Sequence, residues 1–301
     1  MSTSTVAIDR TAEPTAPPKL SQRQWLQVLR NASRLTRTRV GLVIVLVMTA
    51  VALVGPLFAP HSPTQFVGIP NSAPSGNAIL GTDALGRDVF TRFLYGGRTV
   101  IGLSLATTFI GVSLGVIIGL TAAYAGGVVD EVLMRISDVF LAFPQILFAL
   151  LLIAALGPHI WLLVVAVSIS HAPRVARVMR GAGLQVVERD FVKAAEAVGE
   201  KRRRIVLGEL LPNVSSPLMV EIGLRLTYSI GLIAALSFMG FGLQPPQADW
   251  GLMINENRLA LITQPWSVLA PVIAIGLLTV GSNLVTDGIA RAAIGLDRGK
   301  E

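Results

Sequence analysis

Six stretches of the chain run almost wholly apolar, at 40–59, 99–125, 139–156, 160–170, 218–241 and 268–289. A bilayer crossing needs roughly 20 such residues in a helix, so the pattern predicts about six transmembrane helices. The run at 160–170 is short, but 172–184 can extend the same helix through Arg174, Arg177 and Arg180 into water. Pro144 lies near the start of the third run, and Gly111, Gly115 and Gly119 recur at every fourth position of the second. In lipid, where packing rather than exclusion of water drives association, such a ridge lets two helix backbones approach closely. Helix packing is its expected role. Residues 1–20, rich in Ser, Thr, Ala and Pro, carry too little apolar surface to order themselves.

Composition agrees with the pattern. The 301 residues are 52% hydrophobic and only 14% charged, where soluble domains run near about 25% charged. There is no cysteine, hence no disulfide, thiolate metal site or cysteine nucleophile. The net charge of +7 could suggest nucleic acid, but 16 of the 25 Lys and Arg residues fall in 1–40 and 172–215, beside apolar runs. Only three fall in 60–98 and one in 242–267. Basic segments stay on the cytoplasmic side. Both termini are therefore expected in the cytoplasm, with 1–38 a partly disordered tail, 39–292 the membrane domain and 293–301 a short second tail.

Candidate chemistry is sparse. No phosphate-binding GxxxxGK[ST] loop occurs. His61, His159 and His171 are scattered near the expected span ends without paired spacing, so no metal site is expected. Glu221 and Arg225, four apart on the fifth span, can pair on one helix face. A structural ion pair is the expected reading, with a substrate contact as the alternative; Asp287 and Arg291 repeat the spacing at the membrane edge. Ion-coupled carriers generally place carboxylates near mid-membrane. None is expected there, which puts the energy source outside this polypeptide.

The most informative polar segment is 188–213. Asp190 can cap a helix and Gly199 can end it in a left-handed conformation. Phe191, Ala194, Ala195 and Val198 then share one face, an aromatic knob flanked by small residues. Such a face could enter a partner's groove or rest on the membrane or the bundle.

FVKAAEAVG followed by LLP, ending at Pro212, resembles the EAA signature of permeases in ATP-binding-cassette importers. LGTDALGRDVFTRFLYGGRTVIGLSL, RISDVFLAFPQILFALLL, PRVARVMRG and LSFMGFGLQPPQADWG resemble further motifs of the dipeptide, oligopeptide and nickel branch, and of its C-type permeases most closely. The resemblance covers about residues 35–290. It implies an all-α permease of the type I importer fold in a bacterial plasma membrane, paired with a B-type sister permease, two cytoplasmic ATPases and a periplasmic or extracellular solute-binding protein. Membrane lipid surrounds the assembly, and nucleic acid plays no part. ATP and magnesium would be used by the ATPases, with no cofactor in this chain. Asp190, Phe191, Lys193, Ala194, Ala195, Val198, Gly199 and Pro212 would belong to the coupling element. Lys193 stands where the signature has its leading Glu, Ala172 where relatives usually carry Trp, and Ile233 where many carry Glu. An ion-coupled secondary transporter is the competing class.

Overall fold

The computed structural model describes residues 23–298. Helix α1 (Arg23–Ala32) is followed by α2 (Thr36–Val54), a 3-10 turn at Gly55–Phe58, and α3 (Val89–Ala125). After these come α4 (Gly127–Ala142), α5 (Gln145–Leu156) and α6 (Ile160–Val187). Short helices follow: α7 (Asp190–Ala197), α8 (Arg202–Ile205), a π-helical turn at Val206–Leu210, and α9 (Leu211–Asn213). The chain ends with α10 (Ser215–Phe238), α11 (Trp250–Asn257) and α12 (Trp266–Arg298). No strand is present among the described residues. The disorder expected at 1–20 lies outside them.

Residues 23–32, inside the expected tail, form a helix, with Val28 and Ala32 buried against Ala292 and Ala293 of α12. One expectation about the spans needs correction. The third span is not a straight helix over 139–156; it is the pair α4 and α5, bent by 85°. Pro144 causes the break, because the residue before proline is pushed out of the helical region, and Phe143 is extended at ψ 132°. Charged residues at 130, 131, 135 and 138 hid the first half from a search for apolar runs. Its two aspartates are neutralised by α6: Asp130 takes Arg180 through both oxygens at 2.5 Å, and Asp138 takes Arg177.

Five helices are individually long and apolar enough to cross a membrane, or six if the bent pair counts as one span. Helix directions settle the number. The ridge of α3 meets α6 in parallel: Gly111 faces Ser168 and His171, Gly115 faces Ala172 and Val175, and Gly119 faces Ala176 and Met179. Two parallel helices need a return between them, so α4 and α5 together make one full crossing. The remaining neighbours alternate, with Ala52 of α2 against Gly97 of α3 and Gly41 of α2 against Gly281 of α12. The protein is thus an all-helical, multi-pass membrane protein whose helix directions fit six crossings. One end of the bundle holds α1, α7–α9 and the end of α12; the other holds the 59–88 segment, the turn at 157–159, and α11.

That second end is fastened by buried charge. Asp83 accepts from Arg87 Nε at 2.7 Å, and Glu256 of α11 accepts from Arg87 Nη2 at 3.0 Å and Arg92 Nη2 at 2.7 Å. Asp88 caps α3 by accepting from Thr91 N at 2.9 Å. Asn257 accepts from Ala84 N at 2.8 Å, and Gln264 donates to Leu80 O at 2.6 Å. Asp249, buried at the start of α11 and bonded to Ser237 and Leu252 N, has its carboxyl pushed above the usual range by desolvation. The two arginines of the GRDVFTR string are therefore internal fasteners, which explains why an end with few basic residues keeps them.

Candidate functional site

The segment 188–213 begins where α6 leaves the bundle. Ala-rich α7 forms on good local propensity and ends in paired reverse bonds: Gly199 N donates to Glu196 O at 2.9 Å and Glu200 N to Ala195 O at 3.1 Å. Gly199 stands at φ 81°, the left-handed geometry this stop requires. The expected cap is corrected, however. Arg189 occupies the cap position and makes no side-chain bond, while Asp190 is the first helical residue. From there its carboxylate still favours the positive end of the helix.

The single face read from periodicity is divided. Phe191 and Ala195 are half-buried against the chain's own cluster of Val192, Ile205 and Leu210, which also takes in Tyr124 of α3 and Val186 and Val187 of α6. Ala194 and Val198 turn outward, Val198 being 83% exposed. With Ala195, Arg204 and Glu209 they line an open concavity of about 300 Å³. Lys193 is exposed at the rim. Pro212 has no N–H to continue an α-helical ladder, and the chain widens into the π turn just before it. The eight expected coupling residues thus fall on one compact protrusion at one end of the bundle, its inner side seated on α3 and α6.

Inside the bundle, Gly111, Gly115 and Gly119 lie at the closest approach of α3 and α6. A Cβ at Gly115 would sit 2.5 Å from Val175 Cβ and 2.7 Å from Ala172 O. Glu221 and Arg225 pair as expected, at 3.1 Å, with both side chains 8% exposed. His171 corrects the reading of an interfacial histidine. It is fully buried midway along α6, its Nε2 3.0 Å from Ser229 Oγ, which also receives Thr108 Oγ1 at 3.1 Å. Gln145 Nε2, at the start of α5, donates to Ser170 O at 3.0 Å and stands 3.4 Å from His171 Nδ1. One polar knot thereby joins α3, α5, α6 and α10. Its signal in the sequence was a histidine within the combined run 160–184, which a division at residue 170 placed at a span end. Among the described residues no group of three or more His, Asp or Glu is placed to hold a metal ion.

Two family models match the chain. The binding-protein-dependent transport system inner membrane component covers residues 111–294, and the N-terminal TM domain of oligopeptide transport permease C covers 23–74. The chain is 34% identical to the dipeptide transport system permease protein DppC of Alkalihalophilus pseudofirmus, covering 94% of both chains. It is 36% identical to a putative peptide transport system permease protein of Brucella suis, over 87% of this chain and 90% of the relative. It is also 34% identical to the glutathione transport system permease protein GsiD of Escherichia coli, over 93% of each. The first model spans α4 to α12, including the α7 segment, and the relatives match over 87% to 94% of this chain. The chain therefore belongs to the family of binding-protein-dependent transport system inner membrane components.

Proposed function

We propose that the chain forms one half of the translocation path of an ATP-driven importer for short peptides, dipeptides foremost, and that α7 is where the ATPases grip it. The substrate class rests on relatives whose names specify dipeptide, peptide or glutathione transport. The observation that carries the mechanism is α7 itself, a helix with a sharp stop, an outward concavity at Ala194 and Val198, and an inner side wedged on α3 and α6. The partners in this reading are a B-type sister permease, two ATPases that bind ATP and magnesium, and an external solute-binding protein.

The α7 end faces the cytoplasm, because the basic residues of 172–215 and of the first 40 positions gather there. ATP-driven closure of the ATPases moves α7, and Phe191 and Val192 pass the motion to Tyr124 of α3 and Val186 of α6. The glycine ridge makes α3 and α6 move as one body, since closely packed helices shift by small sliding steps or rigid rotation. This chain then supplies a path and a lever, and the phosphate chemistry stays with its partners.

Reconstitution of the four-subunit complex with the binding protein in vesicles tests this. Dipeptide uptake should stop on ATP depletion and survive collapse of the proton gradient. Uptake that needs the gradient and ignores ATP would overturn the proposal in favour of an ion-coupled carrier.

A further inference from the structure

Helices α6 and α10 run in opposite directions, and the His171–Ser229 contact sets their register. Arg174 lies three residues past His171, and Arg225 four residues before Ser229. Both arginines thus stand about one turn, ~5 Å, toward the α7 end at the same level. They are the two cations whose fields reach His171. Each lies near the midpoint of its helix.

Their partners do not balance. Arg174 heads a row spaced by three; Arg177 and Arg180 each take an aspartate of α4, whereas Arg174 meets no acid among the described residues. Arg225, 7% exposed, gives only its Nε to Glu221, and both Nη groups are without an acceptor among the described residues. Its guanidinium lies 5.2 Å from the centre of the Tyr228 ring. Two cations against one carboxylate leave a net charge of +1 between α6 and α10, where a half-buried ionisable group needs a partner or water.

The site is also open. Tyr228 is 57% exposed, and a Cβ on Gly231, one turn further along α10, would meet nothing within 4 Å. Because of the break at Pro144, the amide-rich end of α5 begins within a turn of this level, and its first amides have no side-chain cap. Unpaired guanidinium donors form the strongest recognition geometry for a carboxylate, and the helix end adds to it.

We propose that Arg174 and Arg225, with Gln145 and the amide end of α5, form a site in the membrane domain for the carboxylate of the transported solute, with Tyr228 at its open edge. In a peptide that group is the C-terminus, so contact there is indifferent to side chains, as an importer of varied short peptides requires. The peptide identity rests on the function proposed above; the anion site does not.

The chain has no cysteine, so Tyr228→Cys in the assembled complex provides a single reporter, read on this chain by mass spectrometry. After normalisation to a free thiol, an anionic methanethiosulfonate should react about tenfold faster than a cationic one. Arg174→Gln in that background should abolish the preference, and Arg174→Lys should retain it. Dialanine should slow the reaction, while its C-terminal amide should not. An unreactive thiol, a rate ratio near one, a ratio unmoved by Arg174→Gln, or equal protection by acid and amide would each overturn the site. If the complex imports peptide and labelling shows no preference, this inference fails alone. If the preference holds and no peptide is imported, the substrate reading fails and the anion site stands.

Discussion

A single methyl group measures the closeness of α3 to α6. At Gly115 it would press on Val175 and the Ala172 carbonyl, backbone that has no room to retreat. Gly115→Leu should therefore cost about 1–3 kcal/mol or more by overpacking, and lower the yield of monodisperse protein in gel filtration. Ile117→Leu, on the exposed side of the same helix, should change nothing measurable; equal yields for the two would refute the packing role. Glu256 is a second sensitive position, since it takes Nη2 of both Arg87 and Arg92 from across the bundle, beside Asp83, which also pairs with both. Stripping one member from a buried ionic cluster leaves the others uncompensated, at about 3–5 kcal/mol. Glu256→Gln should lower the unfolding temperature clearly, and Glu131→Gln, at an exposed site, should not. The Asp83 and Arg87 half of this cluster could be read from i, i+4 spacing. Glu256, 169 residues from Arg87, could not, because no local pattern links positions so far apart.

Among the elements, α7 was the most legible and still half misread. Gly199 marked its end, since only a residue tolerant of positive φ suits that stop. Its start was displaced by one residue because Asp serves equally well at the cap and in the first turn. Periodicity showed that Phe191, Ala194, Ala195 and Val198 share a stripe, but not which part of the stripe the chain covers itself; that depends on Ile205 and Leu210, folded back by the π turn. The division yields a graded test. Ala194→Glu and Val198→Glu sit at the outward concavity and should leave the chain folded while sharply reducing ATPase co-purification, because bulk and charge at the centre of a small interface do most harm. Lys193→Ala, a solvated rim charge, should stay close to wild type. Val192→Glu, at a fully buried position, should instead disrupt the segment itself. If the two outward glutamates bound ATPase as well as wild type does, α7 would not be the docking element.

At the scale of the whole molecule, the count of crossings decides whether the termini share a side. Counting apolar runs gives six, but by treating 139–156 as one ordinary span; counting long apolar helices gives five. The direction of α6 relative to α3 removes the ambiguity. Residues 111, 115 and 119 meet 168–179 in ascending order, so the chain must have returned through α4 and α5, despite the 85° bend between them. The ion pairs of Asp130 with Arg180 and Asp138 with Arg177 hold α4 against the α7 half of α6, and α5 completes the passage from the level of Gln145 to the turn at 157–159. A re-entrant loop would return the chain to the α7 end and force α6 to run antiparallel to α3, which would separate the facing pairs of the glycine ridge. The expected outcome is specific. Reporters fused at either terminus should read on the same side, and a cysteine introduced at Pro158 should react with an impermeant thiol reagent from the opposite side. Termini on opposite sides, or a position 158 accessible only from the side of the termini, would show that α4 and α5 do not cross, and the parallel α3 and α6 pair would have to be abandoned with them.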